Sequence, residues 1–285
     1  MGLVLVAFLA TLLGSLVAVQ PAWAEWTALG LIIVAGIPHG AFDLRVAEAA
    51  WLPRLPRAVV AGVYVAIGTA MSAFCLAWPG FGLALFLLIS AIHFSEGEGE
   101  GSSKVTAVVF GAGAILFPIG LHVREAAPYL SFFWDAQSVA DSREIILWTA
   151  ILLFAAAILL VARDVVSGNR QQATERAVCL LAWLVLPPLS GFCVWFVGRH
   201  SRQHLAHCKG LFSGSTMGLP RDFVVISVLA ILLLAPLALR FDLSDINQLF
   251  AASIVLIAGL TLPHMVVSHR LKSSLSQMSQ ETERR

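Results

Sequence analysis

Two of the chain's eight histidines, His200 and His204, stand four residues apart in Gly198-Arg199-His200-Ser201-Arg202-Gln203-His204-Leu205-Ala206-His207. No Gly or Pro interrupts the stretch from Arg199 to Lys209, and it follows the apolar run Phe192–Val197, so the pattern predicts a helix. Positions four apart share one helical face, with His207 a turn further on. Two imidazoles so spaced can direct their ring nitrogens at one transition-metal ion. A plainer reading is a polar interfacial helix whose histidines meet lipid headgroups. The other histidines decide between the two.

His39 lies in Gly36-Ile37-Pro38-His39-Gly40-Ala41-Phe42-Asp43, and His93 in Ala91-Ile92-His93-Phe94-Ser95-Glu96. Each follows the start of an apolar run by thirteen residues, counted from Trp26 and Gly80. At the helical rise each sits about 20 Å from its entry surface, and a helix starting at Pro188 carries His200 about 18 Å in. An ionisable group at such depth costs about 2.5–3.5 kcal/mol on insertion scales and marks function by default. Four imidazoles from three segments thus reach a common depth. Asp43 and Glu96 follow their histidines by four and three residues and are candidates for orienting them, since metal-bound imidazoles usually hand their second N–H to a carboxylate. The alternative for both acids is a helix-end charge. His264, in Leu262-Pro263-His264, is a further candidate at similar depth, while His122 and His269 fall at run ends and read as interfacial. Arg199 and Arg202 are expected to snorkel to headgroups. Nitrogen ligation suits zinc, copper or iron. A site reached through lipid meets apolar substrates, and redox chemistry on hydrocarbon points to Fe(2+) and dioxygen.

The elements that must hold these residues are apolar helices. The chain is 59% hydrophobic and 12% charged, far from the roughly 25% charge of a soluble domain. Its runs are continuous rather than alternating, which excludes a barrel. The net charge of +1 offers no stripe for nucleic acid. The four cysteines are scattered and read as small buried residues, with Cys208 beside His207 a minor ligand candidate. The expected fold is all-α, a polytopic membrane protein of seven to nine transmembrane helices around an intramembrane histidine cluster. Residues 1–271 are expected to form one helical membrane domain and residues 272–285 a polar, mobile tail. Leu3–Val19 opens the series. Ala22-Trp23-Ala24 resembles a signal cleavage site, but no Lys or Arg precedes Arg45, so a retained first helix is favoured. Pro38 should kink or break its helix. Arg45–Arg57 and Arg163–Arg176 read as charged cytoplasmic loops, and the alternation of Gly97, Gly99 and Gly101 with Glu98 and Glu100 as a flexible acidic loop. Topology after Pro187-Pro188 stays open.

With these residues in place, the chain resembles the bacteriorhodopsin-related-protein (Brp/Blh-type) β-carotene dioxygenases. The resemblance rests on Pro38-His39-Gly40-Ala41-Phe42-Asp43, His93-Phe94, His200-Ser201-Arg202-Gln203-His204 and Leu262-Pro263-His264, in order and at approximately the family's spacing. It implies a membrane enzyme that cleaves the central double bond of β-carotene with O₂ to give two retinals, with His39, His93, His200 and His204 as iron ligands. A bacterial inner-membrane location and a rhodopsin that takes up retinal are the corresponding expectations. Phe42, Phe94 and Trp195 are candidate tunnel walls. Two departures bear on the substrate: Leu44 stands where the family places a second histidine, and Ser95 where it usually has Gly. Two rival functions remain. A di-iron hydroxylase or desaturase would use Asp43 and Glu96 as ligands, although the chain has no adjacent histidine pair. A carotenoid carrier or proton-coupled transporter would use its broken helices and histidines without a metal.

Overall fold

In hydrocarbon every backbone amide must be satisfied within its own segment, and the computed structural model describes helices throughout residues 21–51, 56–98, 103–211 and 221–283, with no strand among them. In order these are α1 (Pro21–Leu31), α2 (Asp43–Trp51), α3 (Arg57–Ala77), α4 (Pro79–Glu98), α5 (Lys104–Leu121), α6 (Val123–Leu130), α7 (Ala136–Val166), α8 (Arg170–Val185), α9 (Pro188–Trp195), α10 (Arg202–Leu211), α11 (Arg221–Leu232) and α12 (Ile246–Glu283). The chain is a polytopic helical membrane protein. Six stretches among the described residues are long and apolar enough to cross a membrane: Trp23–Ala47, Ala58–Ala77, Pro79–Glu98, Lys104–Leu121, Ala136–Val166 and Ile246–His269. The expected count of seven to nine also drew on the run Leu3–Val19, which lies outside the described residues. It drew further on Phe223–Leu239, which is shorter and apolar, and on the pair α8–α9.

Burial separates a central layer from a lipid-facing one. The apolar windows of Trp23–Ala47 and Ile246–His269 are 59% and 56% buried, those of α3 and α7 only 11% and 17%. On α7 the side chains of Ile145, Leu152 and Leu159, seven apart, stand open, forming the stripe that faces acyl chains. Inside, Phe110, Phe117, Trp183, Val194 and Trp195 make one cluster, and Cys75, Leu83, Phe86 and Val255 another.

Two central elements are wound irregularly, and both carry histidine motifs. Between α1 and α2 the chain passes through a π-helical turn (Ile32–Gly36) and a 3₁₀ turn (Ile37–Phe42). Pro38 therefore rewinds the helix instead of breaking it, because changes of pitch absorb its missing N–H. A second π turn, Phe196–Ser201, joins α9 to α10. The two cross where Gly36 leaves room for a ring, since a Cβ there would lie 2.3 Å from Phe196 Cε1. The expected loop after Arg45 is helical as far as Trp51, and α4 takes in Gly97 and Glu98 of the expected acidic loop, whose residues 99–102 lie outside the described ones. At the other terminus α12 continues to Glu283 where a separate tail was expected. No Gly or Pro interrupts it after Pro263, and its Lys, Gln and Glu are good helix formers.

Helices approach closely through small residues, as lipid-embedded packing favours. Tyr64, Gly68 and Ser72 repeat every four residues along α3 and face α12. Gly68 and Gly259 meet backbone to backbone, and Ser72 Oγ donates to the Val255 carbonyl at 3.1 Å. Pro263 cannot donate to the carbonyl of Gly259, which lies four residues before it. A tight crossing against backbone lies beside the His93 motif: a Cβ on Gly111 of α5 would stand 2.3 Å from Ser95 N and 2.4 Å from its Cα. Those neighbours are backbone and cannot swing away. Gly111→Ala should therefore cost about 1–3 kcal/mol of stability. Thermal unfolding in detergent would read this, and an unchanged midpoint would contradict the packing.

Candidate metal centre

His93 belongs to the buried face of α4, formed by Leu83, Phe86, Ser90, His93, Phe94 and Glu98, and is 6% exposed. His200 lies in the π turn, 7% exposed. Its ring is stacked on Trp195 (centroids 5.3 Å) and Phe196 (5.7 Å) and is met edge-on by Phe94 (4.8 Å). The imidazoles then form a row. His200 and His93 are 5.2 Å apart, His93 and His264 5.0 Å, and His264 and His204 4.9 Å, centre to centre. Three separate stretches of chain supply four rings.

Asp43, at the start of α2, closes the group. It is 2% exposed, and its two oxygens lie 2.9 and 2.8 Å from Nδ1 of His264. Oδ2 also accepts the Tyr64 hydroxyl at 2.7 Å. One donor atom each from Asp43, His204 and His264 falls within 4.8 Å of the others. Clustered imidazoles with a carboxylate beside one of them have the chemistry to hold a divalent transition metal, the carboxylate as a ligand or as the group that orients one. Cys208 Sγ lies 3.4 Å from Nε2 of His204. Burial pushes this thiol up to about 12, so it meets the ring as a neutral group.

Sequence reasoning placed several of these residues differently. The side chain of His39 lies outside those described; its backbone forms part of the 3₁₀ turn leading to Asp43. Asp43 was expected to orient His39, whose side chain lies outside those described; among the described residues its carboxylate meets a ring 221 positions away. Glu96 turns from the row toward the surface, where His269 Nδ1 is 3.2 Å from its carboxylate. His264 belongs to the row itself. Tyr64 was missed, although one of only two tyrosines in the chain, placed midway along an apolar span, was a readable signal.

The arginines also differ from expectation. Arg199 is 4% exposed and does not snorkel. It holds both oxygens of Glu98, at 2.7 and 3.0 Å, and pairs with Glu175. Arg176 bridges Glu98 and Asp164, and Arg202 reaches Glu175 at 3.4 Å. The stretch read as a charged loop is a tight α7–α8 hairpin turning at Gly168, where φ is +80°. Asp164, Glu175 and Arg176 are buried and paired with opposite charges, while Arg163 and Arg170 stay at the surface. Burial alone would raise the Glu175 carboxyl, but Arg199 and Arg202 more than offset it and hold it below the usual value. The network ties the π turn of His200 to α4 and α8.

A cavity of about 620 Å³ opens beside the row, within the ordinary range for small-molecule sites. Asp43, Tyr64, His93 and His264 form its polar wall, and Phe94, Phe196, Leu83 and Ile257 stand among its largely apolar lining. It reaches Phe250 and Tyr129. From Phe250 to His264 along α12 is about 21 Å at the helical rise.

A bundle of lipid-facing helices closed around a row of histidines and a buried aspartate, beside a largely apolar cavity, defines a polytopic membrane protein with a polar cluster in its interior. The family model described as beta-carotene 15,15'-dioxygenase matches residues 30–272, and the chain belongs to that family. Over 195 residues it is 27% identical to a beta-carotene 15,15'-dioxygenase of the uncultured marine bacterium 66A03, covering 64% of this chain and 68% of that one. No solved structure matches the chain.

Proposed function

We propose that the protein cleaves the central double bond of β-carotene with O₂ at an iron centre, yielding two molecules of retinal. The observation that carries this reading is the shared wall: His93, His264 and Asp43 line the same cavity as Phe94, Phe196 and Ile257. A polyene lying there has carbon beside imidazole. Family membership and the relative's activity support the same substrate.

His93, His200 and His204 would hold the iron, joined by His39 as the resemblance implies. Iron(II), when bound, supplies the activation of dioxygen. The chain's own residues select the bond. Phe94 is wedged between Trp195 and His200, with ring centroids 4.7 and 4.8 Å away, so the cavity wall at the histidines is rigid. The reach of about 21 Å along α12 toward Phe250 exceeds one half of a ring-ended C40 polyene, so one half can lie there with the molecule's centre at the histidine row. Positioning of this kind distinguishes one double bond among conjugated neighbours. The apolar lining excludes water from the reacting carbons. Substrate and product both dissolve in the bilayer, a bacterial inner membrane, where a rhodopsin can take up retinal.

Expression in a β-carotene-producing bacterium should bleach the cells and accumulate retinal. Chelation of the purified protein should abolish retinal formation and Fe(II) restore it; activity that survives complete removal of metal would sink the proposal. Two irons per chain would favour a di-iron hydroxylase, and bound carotenoid without aldehyde a carrier.

A further inference from the structure

We propose that His264 is itself a ligand of the metal centre, through Nε2, and that Asp43 and Tyr64 hold it in place. The inference rests on the iron reading above and adds to it an imidazole carried by α12.

Three polar side chains meet inside an apolar bundle, where each is costly to place. Tyr64 donates to Oδ2 of Asp43 at 2.7 Å, and both Asp43 oxygens face Nδ1 of His264 at 2.8–2.9 Å. A carboxylate facing Nδ1 fixes the proton there, because the unprotonated nitrogen would repel it. Nε2 is then the nitrogen with a lone pair. This is the arrangement by which carboxylates orient metal-bound imidazoles and raise their basicity. The Ser268 hydroxyl lies 3.4 Å from Nε2, longer than an ordinary hydroxyl hydrogen bond, and an ion would displace it.

Location agrees with tautomer. The His264 ring stands between those of His93 and His204, at 5.0 and 4.9 Å, so a centre using both neighbours without it would have to bypass the ring between them. Asp43 acts as the positioning carboxylate. Its Oδ2 already carries the tyrosine, and both oxygens are turned to the ring rather than to open space. Gly40 packs beside the pair, at a distance where a Cβ would make ordinary contact with Asp43 Oδ2 and His264 Nδ1. The chain Tyr64–Asp43–His264 thus links α3, α2 and α12 to one ion.

The test uses the full chain in detergent with Co²⁺ as probe, titrated against a competing chelator and followed by its visible absorption. His264→Ala should weaken cobalt binding at least 10-fold, the lower bound for loss of even an orienting partner, and should alter the absorption envelope. Added imidazole should restore both. Asp43→Asn should weaken binding about 10–100-fold and Tyr64→Phe by less. A His264→Ala protein with wild-type affinity and an unchanged spectrum overturns the inference while leaving the iron reading intact. Wild-type protein that takes up no cobalt or iron overturns both. If His264→Ala does not fold, the other two variants decide: graded weakening supports the chain, and wild-type affinity in both refutes it.

Discussion

A His93→Ala variant should lose retinal formation by more than the roughly 10–100-fold that follows loss of an orienting partner in a metal site. The reason is its place in the middle of the row, 5.2 Å from His200 and 5.0 Å from His264. Neither neighbour can move in to replace it. His200 is stacked against Trp195 and Phe196, and His264 is held by Asp43. The cavity beyond is left standing, so carotenoid should still bind. Retinal yield measured beside bound carotenoid separates these outcomes. A variant that keeps both iron and wild-type turnover would remove His93 from the centre.

Arg199→Ala is expected to give the largest loss of stability, about 3–5 kcal/mol, the cost of breaking a buried ion pair from one side. Glu98 and Glu175, each 4% exposed, would lose their shortest partner and keep only the longer contacts to Arg176 and Arg202, at 3.5 and 3.4 Å. Arg199→Lys should recover little, because an ammonium cannot hold both Glu98 oxygens and reach Glu175 as well. Thermal unfolding of the detergent-solubilised protein reads the effect. Iron content should fall with it, since Arg199 precedes His200 in the same π turn. A midpoint within a degree or two of wild type would mean that the network is less buried than the structure has it.

The membrane class and the meeting of His93 with His200 were legible because both follow from one-dimensional quantities: the length of apolar runs and a fixed rise per residue. His93 and His200 needed nothing more to be placed near one another. The rest depended on partners far along the chain. Asp43 reads as serving its own turn until α12 delivers His264 across 221 positions. Arg199 reads as a snorkelling cation until α4 brings Glu98 across 101. The charges from Arg163 to Arg176 look like a solvated loop because sequence shows how many there are but not where they face. Pro38 reads as a kink or a break because local rules count a lost hydrogen bond, and the fold takes neither extreme but spreads that loss over a π turn and a 3₁₀ turn.

The thin α3 wall of the cavity has a thermodynamic consequence. Ala61, Tyr64, Val65 and Gly68 line the cavity from a helix that is otherwise turned to acyl chains. A hydrocarbon arriving there leaves one oily phase for another and sheds almost no ordered water, so the usual driving force for apolar binding nearly vanishes. Discrimination among long polyenes must then come from contour and contact alone, which makes modest volume changes along Ala61, Val65 and Thr69 the natural handles for retuning which one is accepted.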